Sequence, residues 1–454
     1  MVFDVLHYGA AGDGVSDDTL AIRAALEAAG LDGGGIVAVP PGVFRTGPLQ
    51  LLSGTELRIA KGATLSFIPE FDRYEPVRTR WEGVECWGCQ PLVFAADARD
   101  VTISGEGGLN GNGRTWWDAC RSARVAGRTN PQTNIERRLA ALNPDHHSHP
   151  SGGGGRELQF LRPPLVQFMN CTKVRIEGLQ LSDSPFWNTH LVYCSDAVIR
   201  GVHFRNPVDA PNTDGLDLDS SSNVLIEDCI FDVGDDCLGL KSGSGIDGLR
   251  VARPTENIII RRCTMRSGHG GVVIGSETAG GIHEVEISDC HFKGTDRGLR
   301  IKTRRGRGGV IKNITLRDCV MVGTICPIVI NCYYGPGGPP AESPVFSLNP
   351  QTVDDGTPQI TNIHIERLRA CGCRAAAGFI VGLPERPVDG LRILDSVFSI
   401  APMDRAPADM AAMHRGLPHS DYRGFRLMNI SNLQIAGSMI HGLAADPVTA
   451  DTQT

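Results

Sequence analysis

The stretch Asn223-Val-Leu-Ile-Glu-Asp-Cys-Ile-Phe231 decides how this chain is read, because its pattern returns three times. Asn257-Ile-Ile-Ile-Arg-Arg-Cys-Thr-Met265, Glu284-Val-Glu-Ile-Ser-Asp-Cys-His-Phe292 and Asn313-Ile-Thr-Leu-Arg-Asp-Cys-Val-Met321 align with it, and looser copies begin at Lys173, Asp196, Asn362, Gly390 and Asn432. From 173 to 313 the successive starts differ by 23, 27, 34, 27 and 29 residues. A period that varies within this range is what stacked coils with loops of unequal length produce. Val224, Ile226, Cys229 and Phe231 are apolar, and the polar pair Glu227-Asp228 marks a bend. Period two and β-branched residues predict strands rather than helices. One such coil cannot bury its apolar face, but stacked coils share a core between parallel sheets. The repeat therefore predicts an all-β solenoid, one domain over residues 1–454.

Composition agrees. Glycine, 55 of 454 residues, suits many tight turns, and aromatics are only 6%. The net charge of −7 excludes nucleic-acid binding by overall charge, so an acidic polymer would need a local basic site. No run approaches the ~18 apolar residues of a membrane span. Met1 leads straight into Val2-Phe3-Asp4-Val5 without a basic and apolar leader. The expectation is a cytoplasmic protein, or a secreted or periplasmic one if a leader was trimmed away.

At the N-terminus the pattern changes. Residues 1–30 are expected to hold a first strand and a helix over Ser16–Ala29, with Leu20, Ala24 and Ala28 at helical spacing, Ile22 and Leu26 nearby, and Ser16 or Asp17 as N-cap. That helix would cover the open end of the solenoid. Gly9–Gly14 reads as a tight turn, since no phosphate-loop pattern is present. Residues 119–160, 333–359 and 400–424 interrupt the repeat and read as loop insertions; in the first, His146, His147 and His149 fit no common zinc spacing. Cys229, Cys263, Cys290 and Cys319 hold one place in the repeat, which predicts a column of buried thiols rather than disulfides. Cys86 and Cys89 form one CxxC without a second ligand pair.

Four segments carry chemistry rather than scaffold: Asn212-Thr-Asp-Gly215, Gly234-Asp-Asp-Cys237, Gly268-His-Gly-Gly271 and Arg300-Ile-Lys302. They fall in consecutive coils, about 4.8 Å apart per strand step. Crowding of Asp214, Asp235 and Asp236 would raise at least one pKa, leaving a protonated acid beside ionised bases, as glycosidic hydrolysis requires. A solvated turn or a calcium site would use the same residues. Arg297, Arg300, Lys302, Arg304, Arg305 and Arg307 lie within eleven residues. Arg300 and Lys302 alternate on a strand and suit a sugar carboxylate, whereas Arg304, Arg305 and Arg307 read as a solvated loop.

With these segments in this order on this repeat, the chain resembles glycoside hydrolase family 28, the polygalacturonases. The likeness runs from Asp4-Val-Leu-His-Tyr-Gly-Ala10 to the last repeat. It implies a right-handed parallel β-helix and hydrolysis with inversion, without metal or other cofactor. Asp235 would be the general acid, Asp214 and Asp236 would activate water, and His269 would tune the acid. Arg300 and Lys302 would grip the galacturonate carboxylate, Asn212 would position the site, and Tyr334 would pack on the sugar. Gly234 stands where many fungal members carry Gln. Thr79–Glu85, Arg162-Pro-Pro164, Ser184-Pro-Phe-Trp187 and Gly294–Gly298 point to a bacterial-looking subgroup, and Glu82, Trp187 and His190 either line subsites or fill the core.

The expected partner is a pectic polysaccharide or oligogalacturonide, with neither nucleic acid nor membrane. The insertion at 119–160 and the extra N-terminal segments favour exo attack. The motifs do not separate polygalacturonate from rhamnogalacturonan or other pectic oligosaccharides. A calcium-dependent lyase would leave Asp235 and His269 without a task, and a non-catalytic glycan-binding β-helix would not need acid, base and clamp together. Oligomeric state is not written in these motifs.

Overall fold

The apolar alternation of the repeat becomes strand after strand in the computed structural model, which describes residues 1–128, 130–145, 162–403, 405–407, 410, 412–443 and, as backbone, 448–450. The chain divides into two units, Met1–Asp235 and Asp236–Thr454. Each is built from coils of a right-handed parallel β-helix, whose coils after the first give strands to three parallel sheets.

In the N-terminal unit the repeat strands Thr172–Glu177, Ser195–Arg200 and Ser222–Glu227 pair in register, so that Ile176, Ile199 and Ile226 stack. A second sheet carries Val93–Ala96, Val166–Met169, Thr189–Val192 and Leu216–Asp219. In the C-terminal unit Ile260, Ile287 and Leu316 stack in the same way. There the second sheet carries Asp236–Lys241, Gly270–Gly275, Arg297–Lys302 and Cys326–Asn331. Strands of this second sheet carry Asp236, Arg300 and Lys302, and it is called the site sheet below.

The polar residues of the repeat set the corners. Asn223, Asn257 and Asn313 lie within the first four residues of their strands at φ of 56°, 57° and 55°, and Asp228, Asp289 and Asp318 turn the bend at 57°, 54° and 55°. Asn and Asp enter this left-handed region at least cost among residues with side chains. They also bond along the stack, as Asn223 Nδ2 does to Asp196 Oδ1 at 3.1 Å.

All fourteen cysteines are free thiols. Cys229, Cys263, Cys290 and Cys319 are buried, each donating to the carbonyl two residues earlier at 3.2–3.4 Å. Contact with Cys263 and Cys319, added to burial, pushes the Cys290 thiol up.

The N-terminal helix α1 spans Thr19–Leu31 and packs against the first strands, as expected of a cap. Its details differ from the expectation. Asp18, not Ser16 or Asp17, holds the cap position, and its carboxylate instead accepts from the backbone of Ala11 and Gly12, closing the glycine turn. The buried face is Ile22, Ala25, Leu26 and Ala29, while Leu20 is 80% exposed. Alanine-rich helices give weak periodicity, so two adjacent faces look alike in sequence.

The 119–160 region is not simply a loop. Helix α2, Arg114–Val125, enters it, and α3, Asn134–Leu142, starts with a capping box between Thr133 and Glu136. The box satisfies two orphan donors at the helix start, a signal that Thr133-x-x-Glu136 carried in sequence. His146, His147, His149 and Ser151–Gly155 lie outside the described residues. Among the described residues, no helix is long and apolar enough to cross a membrane.

Candidate active site

In the N-terminal unit the site begins at the turn Pro207–Asp214. Asn212 sits at φ 56°, and Asp214 is buried, its backbone carbonyl accepting from Asn188 N at 2.7 Å. Asp235 closes this unit, half-buried, with a carboxylate oxygen within 4.8 Å of one on Asp214. Gly234 is required just before it. A Cβ there would stand 2.5 Å from the Pro207 carbonyl, 2.7 Å from that of Ala210 and 2.8 Å from Thr213 Oγ1. Backbone atoms cannot move aside as a flexible side chain can, so the glycine lets the turn lie on this strand.

Arg162 holds that turn from beneath. Fully buried, it donates to the carbonyls of Pro185 and Pro211 at 3.0 and 2.8 Å and to Asn212 Oδ1 at 2.8 Å. Its guanidinium lies 5.0 Å from the centre of the Phe186 ring, which stacks between Trp81 and Trp187. Trp187 meets His190 edge-on, and His190 Nδ1 pairs with Gln167 Nε2 at 2.8 Å. Trp187 and His190 are buried in this packing.

A hairpin crosses the site sheet of this unit. Pro76–Trp81 and Val84–Cys89 pair antiparallel around Glu82-Gly83, both at positive φ, as two-residue turns of this type demand. Thr79 donates to Gln167 at 2.7 Å, and Arg80 pairs with Asp219 at 3.0 Å and bonds Ser220 at 2.8 Å. Tyr193 donates to Glu85 at 2.8 Å. Arg80 and Arg162 were missed as such in the sequence reading. Thr79–Glu85 and the Arg-Pro-Pro run were the only signal for them.

In the C-terminal unit, Asp236 opens the first site strand and is fully buried. Lys302 Nζ lies 2.6 Å from its Oδ2 and Arg300 Nη1 3.5 Å from its Oδ1. Burial pushes the Asp236 carboxyl up, but Lys302, Arg300 and Lys241 outweigh it and hold the group well below the usual carboxylate range. Burial pulls Lys302 down, and the Asp236 charge more than offsets that. Arg300 and Lys302 do project to one side, and each head lies 5.5 Å from the centre of the Tyr334 ring. The glycines of Gly268–Gly271 are packing requirements: a Cβ on Gly270 would meet Val273 Cγ2 at 2.4 Å and Asp236 Oδ1 at 3.2 Å, and one on Gly271 the Phe292 ring at 2.2 Å. Between them His269 is exposed, and its carbonyl accepts from Arg297 at 3.1 Å.

The expectation of a solvated basic loop is overturned. Arg304, Arg305 and Arg307 are 5%, 8% and 2% exposed. Arg304 donates to the carbonyls of Tyr334, Pro336 and Gly337, and Arg305 to those of Pro344, Val345 and Ser347 and to both oxygens of Glu385. They pin the 333–359 insertion, whose irregular backbone offers carbonyls with no strand partner. Part of the 400–424 insertion returns to the site strands. Arg300 Nη2 meets Met413 Sδ at 3.0 Å, Asn331 donates to the Ala412 carbonyl at 2.7 Å, and Arg297 to that of Met410 at 3.3 Å.

Asp214 and Asp235 also lie close enough to share a cation.

Comparison with known proteins bears on this geometry. Residues 152–354 match the model of glycosyl hydrolases family 28, and residues 2–61 that of rhamnogalacturonase A/epimerase, pectate lyase-like. A probable polygalacturonase of Vitis vinifera is 31% identical over 327 residues, covering 70% of this chain and 60% of the relative. The chain thus spans about 60% of the length of the curated relatives it matches first. The crystal structure of a hyperthermoactive exopolygalacturonase from Thermotoga maritima superposes with a TM-score of 0.77 at 32% identity, covering 96% of this chain and 92% of that one. A family 28 exopolygalacturonase of Yersinia enterocolitica, at 20% identity and a TM-score of 0.73, shares the fold over 99% of this chain and 77% of its own. On the 32% identity to the Thermotoga enzyme over 92% of its length, together with the family model match, the chain belongs to glycosyl hydrolase family 28.

Proposed function

We propose that the chain is an inverting glycoside hydrolase that cleaves the α-1,4-galacturonosidic bonds of polygalacturonate or its oligosaccharides from a chain end. The observation that carries this reading is the approach of Asp214 to Asp235, with Asp236 next in the chain and held ionised by Lys302 and Arg300. A carboxyl held well below the usual range is a base at neutral pH, never a proton donor. Between the other two, the family likeness makes half-buried Asp235 the group that protonates the glycosidic oxygen as the bond to the anomeric carbon breaks. Asp214 and Asp236 take the proton of the attacking water, and His269 tunes the acid, as the family likeness implies. Arg300 and Lys302 bind the uronate carboxylate, and the Tyr334 ring, itself buried, steadies both cations.

One distance deserves a test. Inverting pairs usually stand about 6.5–9.5 Å apart, leaving room for water, whereas retaining pairs stand about 5–5.5 Å apart. One oxygen of Asp214 and one of Asp235 lie within 4.8 Å of each other, nearer the retaining spacing than the inverting one. Proton NMR of the first-formed product anomer decides: an α-product would overturn inversion.

Chain-end attack rests on the hairpin 76–89, which lies across the site sheet of the N-terminal unit and is tied to it by Thr79 and Arg80. A polymer cannot continue along strands that a hairpin covers. The name of the Thermotoga relative points the same way. Monomer or dimer from the first minutes is the expected product, and early mixed oligomers would overturn this.

The test of the reaction class is direct. Polygalacturonate should yield reducing ends with EDTA present and without the ultraviolet absorbance of an unsaturated product. Absorbance that grows and that EDTA abolishes would identify a lyase instead. Rhamnogalacturonan belongs on the same panel, since the match over residues 2–61 names that activity.

A further inference from the structure

The site strands of the C-terminal unit end in a charged group that the reaction above does not use. Lys241 closes the first of these strands, Gly275 the second and Lys302 the third. Leu240 pairs with Ile274, Ile274 with Ile301 and Gly275 with Lys302, so the two lysines flank a glycine at neighbouring strand ends. A Cβ on Gly275, at φ 95°, would run into the Lys302 carbonyl. The glycine therefore puts no side chain between the two lysines. Two residues on, Glu277 is buried, and its Oε2 lies 3.6 Å from Lys241 Nζ. Burial pushes the Glu277 carboxyl up, but Lys241, Arg307 and Lys302 outweigh it and hold the group below its ordinary value. Glu277 is therefore ionised at neutral pH.

Lys241 acts on the other end of its own strand as well. After Lys302 and Arg300, it is the third cation that holds Asp236 low. Lys302 contacts Asp236 at 2.6 Å and also feels the Glu277 charge. The lysine of the clamp thus answers to two carboxylates, Asp236 at contact and Glu277 at longer range. Between buried groups a unit charge acts well beyond contact distance, because little solvent screens it. Lys241 and Glu277 together carry no net charge. Without Glu277, the charge of Lys241 would add to those of Arg300 and Lys302. A uronate would then be held more tightly, and Asp236 would become a weaker base.

We propose that Glu277 is a positioning residue that acts through Lys241 and Lys302 to set the strength of the uronate clamp. It keeps the clamp loose enough to release a uronate product and keeps Asp236 basic enough to accept a proton. This rests on the pectic reading above. Removing Glu277 should therefore improve binding and impair turnover, a split that loss of packing does not produce.

The test separates charge from packing. In the full chain carrying Asp235→Asn, titration calorimetry with trigalacturonate should give a Kd that falls about fivefold or more on adding Glu277→Gln. With Asp235 intact, Glu277→Gln should lower kcat and KM together. The double variant Glu277→Gln with Lys241→Met removes the pair as a unit, and its Kd should return most of the way to that of the parent. Galactotriose, which lacks the carboxylates, should bind parent and Glu277→Gln alike. A trigalacturonate Kd that rises or stays unchanged in Glu277→Gln would overturn the proposal, as would equal tightening for galactotriose or a double variant as displaced as the single one. Should Glu277→Gln not fold, Glu277→Asp and the double variant still decide. Both keep the net charge, so both should bind within about threefold of the parent, and a loss of about tenfold in either overturns the proposal. An Asp235→Asn protein that binds no galacturonide would overturn the pectic reading itself, whereas one that binds but ignores Glu277→Gln would overturn this inference alone.

Discussion

Two stretches of the same basic run behave in opposite ways. Arg300 and Lys302 lie on a site strand and face Asp236. Arg304 and Arg305, only two residues further along, spend their donors on the carbonyls of an irregular insertion and on Glu385. Both pairs are buried, so burial does not separate them. The partner does. A carboxylate at the mouth of a chemistry-bearing segment makes a charge available for catalysis, whereas a row of carbonyls makes it a strut. Charge density in the sequence marks both and distinguishes neither.

The comparison can be broken most sharply at the aspartates. Asp236→Asn and Asp235→Asn should each lower kcat by ~10²–10⁴-fold or more. They should differ in stability, because Asp236→Asn also leaves Lys302 and Arg300 buried without a counter-charge. Equal melting curves with equal rates would deny Asp236 its ion pair. Next in size, Arg305→Met should leave Glu385 uncompensated and cost about 3–5 kcal/mol, read by denaturant unfolding. Once folded, it should keep kcat and KM near those of the parent. A large change in KM without loss of stability would make the strut part of the binding site.

Lys302→Met should raise KM for oligogalacturonides more than about tenfold and also lower kcat, since it removes the clamp and unsettles Asp236. A kcat loss with KM unchanged would confine Lys302 to holding the base. The smallest effect expected is in pH. The folded Asp236 pKa lies below its unfolded value, so its contribution to stability is complete above the ordinary carboxylate value, about 3.9, and fades as pH falls through the folded value. Lys302, raised in the fold, contributes below its own ordinary value, about 10.4, and loses that contribution as pH rises through the folded one. The melting temperature of the parent, relative to that of Asp236→Asn, should therefore be level between about pH 5 and 9 and should narrow below about pH 4. A difference that shrinks already between pH 5 and 7 would contradict the depressed carboxyl.

The coils were legible because each repeats one periodic pattern, and Asn223, Cys229 and their counterparts stand where that pattern puts them. The Arg300–Lys302 geometry was legible too, since alternation on a strand fixes side. What escaped reading depends on contacts distant in sequence. Arg304 meets Gly337, Arg80 meets Asp219 and Arg124 meets Asn212 across 33, 139 and 88 positions. No local period encodes those pairings. Helix α2 was hidden for another reason: it straddles the start of the 119–160 insertion, and its buried Trp116, Trp117 and Cys120 lie where the repeat pattern gives no guide.

Gly234 has a consequence for anyone who recombines relatives of this chain. Its missing side chain is filled by the backbone of Pro207 and Ala210 and by Thr213. A glutamine grafted at 234 alone would meet that turn from below and lift the segment leading to Asp214. The residue and the turn at 207–213 behave as one cassette, so a functional chimera has to exchange them together. A library that shuffles them independently would be filled with folded but silent molecules.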